Sequence, residues 1–99
     1  MVTIEKITGV FLKYGYTVAQ IAVLDHANRA PGQAINRVAG NLGMRQSSVT
    51  ACLTRLHADK LVETGEVVTP PRGHALTVTT KGRKLLAAMK RELNDDDDL

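Results

Sequence analysis

The segment LGMRQSSVTACLTRLHADKLV, residues 42–62, constrains this chain more than any other stretch. At about 100° per residue, a helix over 46–59 gathers Val49, Cys52, Leu53 and Leu56 on one side. Ser47, Thr50, Ala51, Thr54 and Ala58 lie on the opposite side. The first side can pack, and the second carries only short side chains. N-terminal capping accounts for hydroxyls at Ser47 and Ser48 but not for Thr50 and Thr54, which stand a turn or two inside the helix.

The neighbouring residues supply a frame for that helix. Ile35, Val38, Ala39 and Leu42 repeat at helical spacing from near Gln33, and Gly43 suits the positive-φ position at a helix end. Helix, tight glycine turn and helix make a helix-turn-helix pattern. Upstream, Ile4, Ile7, Phe11 and Tyr14, with Val10, form one apolar stripe that stops at Gly15. Thr17 caps a helix over 18–29 whose Val18, Ile21 and Leu24 face inward, and Pro31 and Gly32 break it from the next.

Downstream, LVETGEVVT and HALTVTT are rich in β-branched residues and flank PPRG at 70–73, which predicts a hairpin with a stiff tip. Thr79 or Thr80 caps a last helix, KGRKLLAAMKREL, carrying Leu86, Met89 and Leu93. The expected fold is mainly α with a small β-hairpin: a three-helix core, a two-stranded wing and a C-terminal helix. One domain over 1–93 is expected, followed by an acidic tail over 94–99 held in disorder by self-repulsion.

Charge narrows the partner. The net +3 masks DDDD at 95–98; residues 1–94 hold thirteen basic against six acidic side chains, which suits a polyanion such as nucleic acid. One cysteine, Cys52, leaves no internal disulfide, and no stretch reaches the ~18 apolar residues of a membrane span, so a soluble cytoplasmic protein without membrane contact is expected. His26, His57 and His74 lack partners at ligand spacing, so neither a metal nor a cofactor is expected. The absence of a phosphate-binding glycine loop and a nucleophile elbow argues against an enzyme.

A major groove about 12 Å wide favours a helix whose outer face is short. Ser47, Thr50 and Thr54 can hydrogen-bond bases or phosphates there, and Ala51 leaves room for a thymine methyl group. Arg45 and Gln46 stand at the end that reaches a groove first, beside amides that favour a phosphate. Arg55 lies at the flank, suited to phosphate or to solvent. Arg72, on the stiff tip of a wing at about 68–75, suits a minor groove; His74 is a phosphate contact or an exposed strand end. Lys81, Arg83 and Lys84 either bracket the DNA backbone or form a solvated basic face.

From Thr17 to Leu86 the chain resembles the winged helix-turn-helix domain of the MarR family of transcriptional regulators. LGMRQSSVT, LHADKLV and RGHALTVTTKG carry the resemblance. It implies that residues 46–59 read the major groove and that Arg72 reaches the minor groove. The chain departs at Lys60, where the family usually has Gly, and at Pro70-Pro71, where it has Asp ahead of the wing arginine. It also implies a homodimer through the terminal helices, with Ile4, Ile7, Phe11, Tyr14, Leu86, Met89 and Leu93 as candidates. The short terminal helices argue against a pocket for a small-molecule effector. A sequence-specific regulator, most simply a repressor, is the expected function. The alternatives are a winged-helix protein-interaction module and a non-specific DNA-binding protein.

Overall fold

A computed structural model describes residues 3–68 and 73–97, with side chains to residue 94. In chain order it comprises α1 (Ile4–Lys13), α2 (Val18–Arg29), β1 (Gln33–Ala34), α3 (Ile35–Leu42), α4 (Gln46–Ala58), β2 (Val62–Val68), β3 (Gly73–Val78) and α5 (Thr80–Asp97). Thr3 caps α1 by accepting from the Lys6 amide, and Thr17 with Gln20 forms a reciprocal capping box on α2. Thr79, of the two candidates, caps α5: its hydroxyl accepts from the Gly82 amide and donates to the Lys60 carbonyl.

Three helices end alike. Tyr16 N–H donates to Phe11 and Gly15 N–H to Leu12; Met44 and Gly43 repeat this onto Ala39 and Gly40; Leu61 and Lys60 repeat it onto Leu56 and His57. Each pair is a Schellman motif, which needs a left-handed residue at its corner. Gly15 (φ +88°), Gly43 (φ +67°) and Lys60 (φ +60°) fill those corners. Lys60 therefore leaves the end of α4 intact, at the steric cost that a side chain meets in this region. Lys60→Gly is expected to stabilise the fold by about 0.5–1 kcal/mol, read as a rise in Tm of roughly 4 °C in thermal unfolding.

The sheet has three strands, not the two expected, in the antiparallel order β1-β3-β2. Gln33 and Ala34, expected to open the third helix, pair instead with Leu76 and Ala75. Pro31 lacks an amide donor and Gly32 takes φ +83°, so the chain turns there, and the Gly32 amide reaches the Leu76 carbonyl. β2 and β3 run from Val62↔Val78 to Val68↔Gly73, with an irregularity between Thr64 and Val67.

Leu24, Leu56, Leu61, Leu76 and Met89 are fully buried where α2, α4, α5 and the sheet converge. Each stabilises the fold by roughly 1.5–3 kcal/mol. Two apolar stripes differ from expectation. Val18, expected inside, is 43% exposed because it opens α2 beside its cap. Leu86 and Met89, expected to be open to a second copy, are buried against this chain's own core, whereas Ile4 and Leu12 are exposed. The last helix continues past residue 93 into the aspartates, to Asp97. Among the described residues, no single helix is long and apolar enough to cross a membrane.

Candidate nucleic-acid interface

α4 is two-sided, as its sequence predicts. Val49, Cys52, Leu53 and Leu56 are buried, and Gln46, Ser47, Thr50, Ala51, Thr54, Arg55 and Ala58 are exposed. α3 enters the turn at Gly43, and Arg45 occupies the N-cap position of α4. Arg45 makes no side-chain cap, so its side chain does not quench the first amides of the helix. Those amides carry the positive end of the helix dipole toward whatever meets this surface.

The threonines hold a feature that their positions alone do not reveal. Thr50 Oγ1 donates to the Gln46 carbonyl at 2.9 Å, and Thr54 Oγ1 donates to the Thr50 carbonyl at 3.2 Å. Both hydroxyl protons are therefore held within the helix, which changes what the face can offer a partner.

One flank of α4 meets the hairpin and the other meets the α1–α2 turn. On the hairpin side, His57 Nε2 and Thr64 Oγ1 lie 2.8 Å apart, so β2 stands beside the exposed face. His74 is exposed and its Nδ1 lies 3.1 Å from the Gly65 carbonyl, bracing the hairpin across its irregular segment. Arg72 lies outside the described residues. Lys81 and Arg83 are exposed at the start of α5, but the Arg83 guanidinium donates to the Val78 carbonyl at 2.9 Å and to Thr80 at 3.1 Å. Arg83 thereby fastens α5 to the end of β3.

On the far flank, Arg55 is exposed yet held by two partners. Its Nε donates to Asp59 at 2.8 Å, and its guanidinium sits 4.8 Å over the Tyr16 ring. The Tyr16 hydroxyl donates to the same Asp59 oxygen at 2.5 Å. Half-buried Asp59 and buried Tyr16 thus back this surface, although neither stood out in the sequence. The Arg55–Asp59 pair has the i, i+4 spacing that signals it, while Tyr16 comes from 43 residues away.

The hydrogen bond from Tyr16, followed by that from Arg55, holds the Asp59 carboxyl below its ordinary 3.8. Burial, and then that same hydrogen bond, raises the Tyr16 phenol. A depressed acid stabilises the fold above its ordinary pKa and loses that contribution as pH falls through the lowered value. Urea unfolding of the parent chain is therefore expected to show stability falling below about pH 4. Asp59→Asn reduces that fall; an unchanged acid profile in the variant contradicts the assignment.

The fold has known counterparts. The sequence matches no family model and no curated protein. Solved structures do match. A MarR-family transcription regulator superposes with a TM-score of 0.75 at 23% identity, covering 89% of this chain and 58% of its own. The Staphylococcus aureus MarR in complex with salicylate and kanamycin gives 0.82 at 14% identity, covering 95% and 63%. The transcriptional repressor CouR, bound to a 23-mer DNA duplex, gives 0.75 at 28% identity, covering 88% and 61%.

This chain has the MarR-like winged helix-turn-helix fold. It spans 58 to 63% of the length of those three proteins. Two of them are described as a transcription regulator and a transcriptional repressor. The expectation that a small-molecule effector is unlikely finds no support among these neighbours, one of which is described in complex with salicylate and kanamycin. Helices α1, α2 and α5 of this chain border an apolar cleft of about 190 Å³, lined by Phe11, Ile21, Met89 and Leu93. Lys90 and Asp25 line it too, with Nζ 3.2 Å from Oδ1.

Proposed function

We propose that this chain binds double-stranded DNA in a sequence-specific manner and regulates transcription, most simply as a repressor. α4 lies in the major groove and the hairpin of residues 62–78 reaches the adjacent minor groove through Arg72. The observation that carries this reading is the bare, short-chained side of α4 beside the hairpin, on a chain whose residues 45–94 hold nine basic against four acidic side chains. The CouR repressor, with the same fold, is described bound to a DNA duplex.

Arg45, Gln46 and Ser47 meet the groove at the N-terminal end of α4, Thr50 and Thr54 at its middle. Lys81 and His74 serve phosphates on the hairpin side. Arg55 serves a phosphate on the far flank, its fork oriented by Asp59 and Tyr16. Arg83 is the weakest of these contacts, since two of its five donors are already engaged by Val78 and Thr80. A homodimer through α1 and α5, with Ile4 and Leu12 on the outside, places two α4 helices on half-sites about 10 bp apart or a multiple of that.

The test is selection of bound sites from a random duplex library, followed by affinity against salt. A recurring, two-fold symmetric motif is expected. The logarithm of affinity falls with that of salt by about 0.9 for every phosphate neutralised. Binding that is steep in salt but equal for all sequences identifies a non-specific DNA-binding protein instead. No retention of duplex leaves the protein-interaction reading.

A further inference from the structure

Resting on that reading, we infer that Thr50 and Thr54 select A·T base pairs through their methyl groups and not through their hydroxyl protons. Each hydroxyl is spent on the carbonyl four residues back, at 2.9 and 3.2 Å. A threonine so bonded keeps two things for a partner: the lone pairs on its oxygen and its methyl group. It has no proton left to give. Both residues are exposed, and Ala51 and Ala58 on the same side of α4 add two more methyl groups. The middle of the helix thus presents a surface of methyls and acceptors, with the donors Arg45 and Gln46 confined to its first turn.

Every base pair shows such a surface both acceptors and an amine, so the apolar group is what separates them. In the major groove, guanine offers only the acceptors N7 and O6, which face the threonine lone pairs unfavourably. An A·T pair offers the adenine N6 amine, a donor, and the thymine C5 methyl, an apolar group. Both match what Thr50 and Thr54 retain. Cytosine also offers an amine but has no methyl group, so the methyl contact decides between the two pairs.

The probe is a duplex recovered from the random library, compared with copies in which individual thymines are replaced by uracil, which removes only the C5 methyl. Replacement at the positions facing the middle of α4 is expected to weaken binding about fourfold per contacted thymine, equivalent to about 0.8 kcal/mol. Thr50→Val keeps a methyl group and removes the hydroxyl with its lone pairs; affinity is expected to fall with the lost acceptor, while the uracil penalty of about fourfold persists. Thr50→Ser keeps the hydroxyl and removes the methyl; the penalty at one thymine is expected to vanish. Both variants are checked by thermal unfolding, where the exposed position predicts little change.

Recovered sites carrying guanine opposite the middle of the helix overturn the inference. So does a parent protein indifferent to uracil, or a Thr50→Val variant that loses specificity while Thr50→Ser keeps it. In all three cases specific binding persists, so the proposed function stands. A parent chain that binds no duplex at all removes both.

Discussion

Thr50→Glu is expected to lower duplex affinity roughly hundredfold, about 3 kcal/mol, while leaving thermal unfolding within a degree or two of the parent. The two effects separate because Thr50 is exposed and its partner bond is local to α4. Glutamate is a better helix former than threonine and sits within two turns of the positive end of the dipole, so the helix loses little. Against a groove rimmed by phosphates, its charge and length oppose approach from the middle of the reading face. Filter binding or fluorescence anisotropy with a selected duplex measures the loss. A Thr50→Glu variant that binds as well as the parent removes α4 from the groove.

Gly82→Ala is expected to cost about 3 kcal/mol, the upper part of the range for an overpacked site, and to lower Tm by roughly 12–24 °C. A methyl group built on Gly82 comes within 2.4 Å of the Leu61 carbonyl oxygen and 2.6 Å of the Val78 side chain. The carbonyl belongs to backbone that is itself fixed: Leu61 accepts from the Thr79 amide at 3.0 Å and closes the helix-end motif of α4. No rotamer change relieves that contact. The first turn of α5 must rise off the junction between α4 and the sheet, taking with it the Thr79 hydroxyl bonds to Lys60 and Gly82. Alanine tolerated at this position, with Tm unchanged, contradicts the packing described for the junction.

These two sites mark how far the sequence could be read. The inward and outward sides of α4 follow from spacing alone, since burial of Val49, Cys52, Leu53 and Leu56 is a matter of 3.6 residues per turn. The helix ends at Gly15 and Gly43 follow from the left-handed corner that glycine fills. β1 escaped because two residues carry no alternation; its existence depends on the free edge of β3, a tertiary fact. Leu86 and Met89 form a helical stripe, but spacing cannot say whether a stripe meets the chain's own core or a second copy. The inward turn of the Thr50 and Thr54 hydroxyls is a rotamer choice that residue type leaves open. Tyr16 joined Arg55 and Asp59 only through folding, since 43 residues separate it from the carboxylate.

The clamp of Tyr16, Arg55 and Asp59 also braces one flank of α4. Three side chains share one carboxylate oxygen and one ring face, tying the α1–α2 turn to the last turn of the reading helix. At the same C-terminal end of α1, Lys13 and Tyr14 both reach Glu92 of α5, the lysine at 2.7 Å. Gly15 sits between the two tyrosines. The terminal helices and α4 are thus joined through a single short turn.

Backbone amide chemical shifts followed during titration with a selected duplex test the whole account most directly. The largest changes are expected at residues 45–58, with smaller ones through the hairpin at 62–78, while the outer sides of α1 and α5 stay still. Changes gathered on α1 and α5, with Ser47, Thr50 and Thr54 unmoved at saturation, contradict it.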